Sequence, residues 1–169
     1  MTRVYLSLGS NIDRDHNIRS GLDALAAHFA PLLLSPVYES AAVGFDGEPF
    51  LNLVVAIDTG LPVAALSAVL RAIEADHGRT RGEKKFASRT LDIDILTYGN
   101  QVGIIDGVEL PRDEILKHAF VLKPLADIAP SEQHPLLQRD YAALLASKDF
   151  SSQPLWAVPF RWPLQGTPE

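Results

Sequence analysis

The 169-residue chain has no cysteine, a single methionine and only 8% aromatic residues. Without cysteine there can be no disulfide, no thiolate nucleophile and no cysteine-bound zinc. No apolar run approaches the roughly 20 residues that a bilayer-spanning helix needs. Positive charge is scarce as well: 15 Lys and Arg stand against 21 Asp and Glu, a formal net charge of −6. A general nucleic-acid binder presents a basic surface, so that class is disfavoured. No Gly-x4-Gly-Lys-Ser/Thr stretch is present, which excludes a Walker-type phosphate loop. The five histidines, at 16, 28, 77, 118 and 134, show no metal-ligand pair spacing. The opening residues Met1 to Leu6 run straight into a strand pattern without a signal peptide's apolar region, so the expected location is cytoplasmic. Internal repeats and low-complexity segments are missing too.

What is present is an ordinary globular balance, 47% apolar and 21% charged. The length predicts one domain over 1–150. Residues 151–169 hold both tryptophans and four prolines; they predict an irregular tail held down by Trp156, Phe160 and Trp162. Hydrophobic spacing predicts strands at Val4 to Leu8, Leu32 to Tyr38 and Leu51 to Asp58, and a strand ending at Tyr98. It predicts helices over about 14–30, after Pro62 up to Gly78, over about 119–128 and around 141–146. A weaker extended segment covers Val102 to Leu110. The order β-α-β-β-α-β gives an α+β fold of the ferredoxin-like type: an antiparallel sheet, helices packed on one face, and C-terminal extras.

The most informative stretch is Arg89-Thr90-Leu91-Asp92-Ile93-Asp94-Ile95. Residues two apart on a strand share a face, so Asp92 and Asp94 project side by side while Leu91, Ile93 and Ile95 face the other way. Two adjacent carboxylates on a half-buried strand repel and require positive compensation. Hard divalent cations with a phosphate substrate meet that need; an exposed edge with two solvated aspartates is the plainer alternative. Cations crowd the neighbourhood: Arg71, Arg79, Arg81, Lys84, Lys85 and Arg89. Guanidinium forks suit phosphate oxygens, although an isolated run of this kind usually forms a solvated loop. Glu74, one turn before Gly78, offers a further acid or orients an arginine, although taken alone it reads as a surface glutamate. Gly9-Ser10-Asn11 reads either as an anion cradle or as a plain helix cap. Phe50-Leu51-Asn52 sets an aromatic and an amide on one strand face, which fits either core and edge or the recognition of a flat heterocycle.

Taken together, Leu6-Ser7-Leu8-Gly9-Ser10-Asn11, Ile73-Glu74, Gly78-Arg79-Thr80-Arg81, the Arg89–Ile95 run and Leu125-Ala126-Asp127-Ile128-Ala129-Pro130 resemble the 6-hydroxymethyl-7,8-dihydropterin pyrophosphokinases of folate biosynthesis. The resemblance implies a ferredoxin-like fold and transfer of pyrophosphate from ATP to a pterin hydroxymethyl group, with release of AMP. It implies that Asp92 and Asp94 bind two Mg²⁺ ions, that Arg79 and Arg89 stabilise the phosphates, and that Glu74 and Ile95 lie near the nucleotide. It implies a pterin site built from Ser40, Val43, Phe50, Asn52 and Phe120. Where the family has Pro-His this chain has Pro111-Arg112, and where the family has arginine it has His118; both are expected on the ATP side as exchanged basic groups. Phe86 stands for the loop tryptophan, Ala87-Ser88 for Gly-Pro, and Phe50 for a tyrosine. The loop from Gly78 to Ser88 is expected to act as a mobile lid. Small-molecule substrates, no nucleic acid, no membrane, and a monomer or weak dimer complete the expectation. The rivals are a divergent paralogue acting on a related pterin and a ferredoxin-like binding module, for instance for RNA.

Overall fold

The computed structural model describes residues 1–41, 47–78 and 90–163. Strand β1 (Thr2–Ser10) leads into α1 (Arg14–Phe29); β2 (Leu33–Leu34), β3 (Val37–Ser40) and β4 (Phe50–Thr59) follow, then α2 (Val63–Asp76) and β5 (Asp92–Tyr98). The remainder is a hairpin of β6 (Gly103–Ile105) and β7 (Val108–Leu110), a 3-10 turn (Asp113–Leu116), α3 (Ala119–Ile128), α4 (Tyr141–Ala146) and β8 (Leu155–Val158). The main sheet runs β5-β1-β4-β3-β8, antiparallel throughout, with β2 also paired to β4.

Period-two alternation on the strands and helical spacing between them decide the layers. Val4, Leu6 and Leu8 of β1 share one face with Leu53 and Val55 of β4 and Ile93 and Ile95 of β5. Against that face α1 packs Ile18, Leu22, Leu25 and Phe29, and α2 packs Leu66, Leu70 and Ile73. These are the helices of the β-α-β-β-α-β unit, on one face as expected. Tyr5, Val54, Ala56 and Leu96 point the opposite way and are covered by Val121, Leu122 and Leu125 of α3 and Tyr141 and Leu144 of α4. The C-terminal extras therefore cap the second face at the Tyr5 end. At the other end that face carries Gly9, Asn52, Asp92 and Asp94, and there the site forms.

Three details differ from the sequence reading. The stretch expected as one strand from Leu32 to Tyr38 divides at Ser35-Pro36, because proline has no N–H for the ladder. At the break Ser35 holds β4 from both sides, its Oγ accepting the Val54 amide at 2.9 Å and its own amide donating to the Val54 carbonyl at 2.9 Å. The extended segment Val102 to Leu110 is a tight hairpin, turned by Asp106 (φ 52°) and Gly107 (φ 81°), both left-handed. The tail is not irregular throughout: Leu155–Val158 forms a strand beside β3. Among the described residues no helix is long and apolar enough to cross a membrane.

Candidate active site

One rung of the sheet assembles the site. Tyr38 pairs with Asn52, Asn52 with Gly9, and Gly9 with Asp92, so four strands contribute to one transverse row. Two residues along, Ser7 pairs with Asp94. Asp92 and Asp94 thus lie abreast on β5, on the face opposite buried Ile93 and Ile95, as their spacing requires. Gly9 is dictated by crowding: a Cβ there would come within 2.9 Å of Asn52 Oδ1. The sequence motif Gly-Ser-Asn therefore does more than end a strand. It keeps a gap in β1 between the amide and the carboxylates.

Asp94 is only 8% exposed. Arg112 Nη2 lies 3.7 Å from its Oδ2, and Arg71 Nη2 lies 4.0 Å from its Oδ1. Arg112 is shared with Glu114 through Nε at 3.1 Å. Burial acts to lower the Arg112 pKa; Asp94 and Glu114 outweigh it and hold the guanidinium above its ordinary value. Arg71 donates from Nε to Glu74 at 2.9 Å and from Nη2 to the Ile93 carbonyl at 2.9 Å. Glu74, 1% exposed, also accepts the Ile93 amide at 2.7 Å. Helix α2 thereby satisfies both backbone groups of Ile93 along the outer edge of β5.

The facing wall begins at β3 and β4. Asn52 Nδ2 donates to Ser40 Oγ at 3.1 Å within the buried interior, and Ser40 pairs with Phe50. The chain entering β4 is tied by Asn11, which donates to Glu48 O at 2.9 Å, and by Arg14, which donates to Pro49 O at 3.1 Å. On the α3 side His118 stacks on Phe120, centroids 4.8 Å apart at 12°. Tyr38 donates its hydroxyl to Asp127, joining β3 to α3, and Lys123 pairs with the same carboxylate at 2.8 Å.

A family model described as 7,8-dihydro-6-hydroxymethylpterin-pyrophosphokinase matches residues 5–130. A Pseudomonas aeruginosa protein named 2-amino-4-hydroxy-6-hydroxymethyldihydropteridine pyrophosphokinase is 39% identical over 137 residues, covering 79% of this chain and 84% of that one. The chain belongs to the 7,8-dihydro-6-hydroxymethylpterin-pyrophosphokinase family. A protein of the same name from Aquifex aeolicus is 34% identical, over 82% of this chain and 88% of the relative. The fold is shared with the crystal structure of Plasmodium falciparum HPPK-DHPS with pterin and p-hydroxybenzoate, at a TM-score of 0.68 and 15% identity. That match covers 86% of this chain but only 42% of the longer Plasmodium chain.

Within the pyrophosphokinase fold, the structure brings Asp92, Asp94 and Arg112 together on one side and Ser40, Phe50 and Asn52 on the other. The Ile95 side chain is buried in the opposite core, so toward a nucleotide it can offer only its backbone. Val43, Arg79 and Arg89, together with Arg81, Lys84, Lys85, Phe86, Ala87, Ser88 and the expected lid, lie outside the described residues. Among the described residues no cluster of three or more His, Asp or Glu side chains is poised for a metal. Two carboxylates abreast are nonetheless the hard-oxygen donor set of Mg²⁺, which keeps waters and takes substrate phosphates as its other ligands. The residues present fit that ion. Sequence reasoning overlooked Arg14 and Tyr38, whose partners are remote in the chain, and it left Gly9 between an anion cradle and a cap; the glycine inside an otherwise apolar alternating run was its one available signal.

Proposed function

We infer that this chain transfers the pyrophosphoryl group of ATP to the hydroxymethyl oxygen of 6-hydroxymethyl-7,8-dihydropterin, releasing AMP, in folate biosynthesis. The new bond joins that oxygen to the β-phosphorus, its proton passing to water; the bond from the β-phosphorus to the oxygen of the α-phosphate breaks, and AMP leaves with the electron pair. The observation that carries the reading is the shared rung. Asp92 lies across Gly9 from Asn52, so a phosphate-directed pair of carboxylates and a heterocycle-directed amide address one gap.

Asn52, oriented by Ser40, reads the pterin edge, and Phe50 and Phe120 bound its ring. Asp92 and Asp94 hold two Mg²⁺ ions, which supply charge neutralisation and polarisation of the β-phosphoryl group when bound. Arg112 places a permanent positive charge beside Asp94, on the ATP side with His118. Arg79 and Arg89 carry the remaining phosphate charge. Glu74 serves the nucleotide side through β5, by fixing Ile93. Catalysis on this reading is positioning and electrostatics, without a dedicated strong base. Cytoplasmic residence and a monomer or weak dimer belong to the same proposal.

The test is a coupled assay of AMP release with ATP, Mg²⁺ and a panel of reduced pterins. Turnover with 6-hydroxymethyl-7,8-dihydropterin above all others is expected. ATP binding without AMP release on that pterin would overturn the assignment.

A further inference from the structure

The family match ends at residue 130, yet the last described segment reaches back to both walls of the site. At one end Gln153 accepts the Ala119 amide at 2.8 Å and donates to the Lys117 carbonyl at 3.0 Å. Helix α3 receives no side-chain cap from its own N-cap residue, His118. Gln153 thus satisfies an N-terminal amide of α3, one residue from Phe120. Three residues on, Trp156 donates from its indole nitrogen to Glu39 Oε1 at 2.7 Å, while β8 pairs with β3 from Val37 to Ser40. Glu39 in turn forms an ion pair with Arg14, which holds the Pro49 carbonyl next to Phe50. Arg14 and then Trp156 keep the Glu39 carboxyl below its ordinary range, so the acceptor is ionised.

The segment is anchored beyond the site as well. Phe160 lies beneath the Arg19 guanidinium, 4.2 Å from ring centroid to Cζ, and Trp162 donates to Asp23 at 2.9 Å. Both partners are on α1. Without β8, β3 would be a four-residue edge strand paired to β4 over only Tyr38, Glu39 and Ser40. Such a short edge is held weakly.

We propose that residues 153–158 form a buckle that sets pterin affinity, with Gln153 fixing the Phe120 wall and Trp156 fixing the Ser40–Phe50 wall. Neither residue touches the reacting atoms; both are positioning residues. The inference rests on the functional reading above, since it takes those walls as the pterin's. The carboxylates of β5 are separated from β3 by β1 and β4, so the Trp156 anchor is remote from them, whereas Gln153 holds the residues on either side of His118 and reaches the ATP side through it.

The experiment is isothermal titration of the full chain with α,β-methylene-ATP and Mg²⁺, then with 6-hydroxymethyl-7,8-dihydropterin on the nucleotide-loaded protein. Gln153→Ala and Trp156→Phe are each expected to weaken the pterin by about 3–10-fold, the scale of one lost hydrogen bond, with the nucleotide unchanged within about twofold in Trp156→Phe. Gln153→Glu keeps the acceptor for Ala119 but loses the donor to the Lys117 carbonyl, and its pterin affinity is expected to fall between those of Gln153→Ala and wild type. Wild-type pterin affinity in both Gln153→Ala and Trp156→Phe would overturn the buckle, and so would equal loss of nucleotide and pterin in Trp156→Phe. A wild-type chain that binds nucleotide but no pterin would overturn the functional reading and the buckle with it.

Discussion

Arg112 Nη2 stands 3.7 Å from Asp94 Oδ2, close enough for charge compensation but beyond hydrogen-bond contact. Arg71 approaches the other oxygen at 4.0 Å. Among the described residues, two guanidinium groups thus stand beside Asp94 and offset its charge from either side.

Arg112→Ala is expected to weaken binding of a nonhydrolysable ATP analogue by about 1–3 kcal/mol, the range for a charged hydrogen bond. Because the guanidinium stays charged throughout, the loss should be equal at pH 6 and pH 8. Titration calorimetry at both values checks this; wild-type affinity in the variant would mean that Arg112 serves only Asp94 and Glu114.

Glu74 bears on stability before it bears on ligands. Glu74→Ala would remove the acceptor of the Ile93 amide and of the Arg71 Nε–H, and a cost of about 2–4 kcal/mol is expected in urea unfolding. Glu74→Gln keeps an acceptor for Ile93 and should cost about half as much or less. Equal, small effects of the two substitutions would show that the edge of β5 does not depend on α2.

Gly9→Ala would bring a methyl group to 2.9 Å from Asn52 Oδ1. The amide must then swing away from the gap. Pterin binding is expected to fall about tenfold, with ATP-analogue binding retained, since one hydrogen bond to the heterocycle is lost. An unchanged pterin affinity would remove Asn52 from the recognition surface.

His134 predicts an acid limit to stability. It is 2% exposed, and its Nδ1 accepts the amides of Leu136 and Leu137 at 3.2 and 3.1 Å, a role open only to the neutral ring. Burial lowers its pKa. The unfolded chain therefore takes up the proton first, so the contribution is complete above the unfolded value of about 6.5 and is lost as pH falls through and below it. His134→Asn, which keeps an acceptor but cannot titrate, is expected to flatten unfolding free energy between pH 7 and pH 5 relative to wild type. Parallel slopes would assign the acid sensitivity to carboxylates.

Much of the fold was legible because the signals were local. Alternation marked β1, β4 and β5, helical spacing marked α1 to α4, and Gly78 stops the second helix with a left-handed φ of 82°. The paired aspartates were legible for the same reason, being set by a two-residue spacing on one strand. What stayed hidden depends on partners remote in sequence. Glu74 reads as a surface glutamate until β5 presents Ile93 to it, and Leu155–Val158 reads as tail until β3 lies alongside. The hairpin turn at Asp106-Gly107 was a local signal that a weak flanking pattern obscured.

The central claim is that Asp92 and Asp94 together hold the metal ions for pyrophosphoryl transfer. The most direct measurement is AMP release from ATP, Mg²⁺ and 6-hydroxymethyl-7,8-dihydropterin by wild type, Asp92→Ala and Asp94→Ala, each first shown by circular dichroism to be folded. The account predicts folded variants with at least about a thousandfold less turnover, the loss of several kcal/mol of charge stabilisation at the phosphates. Near-wild-type AMP release by either folded variant would contradict it.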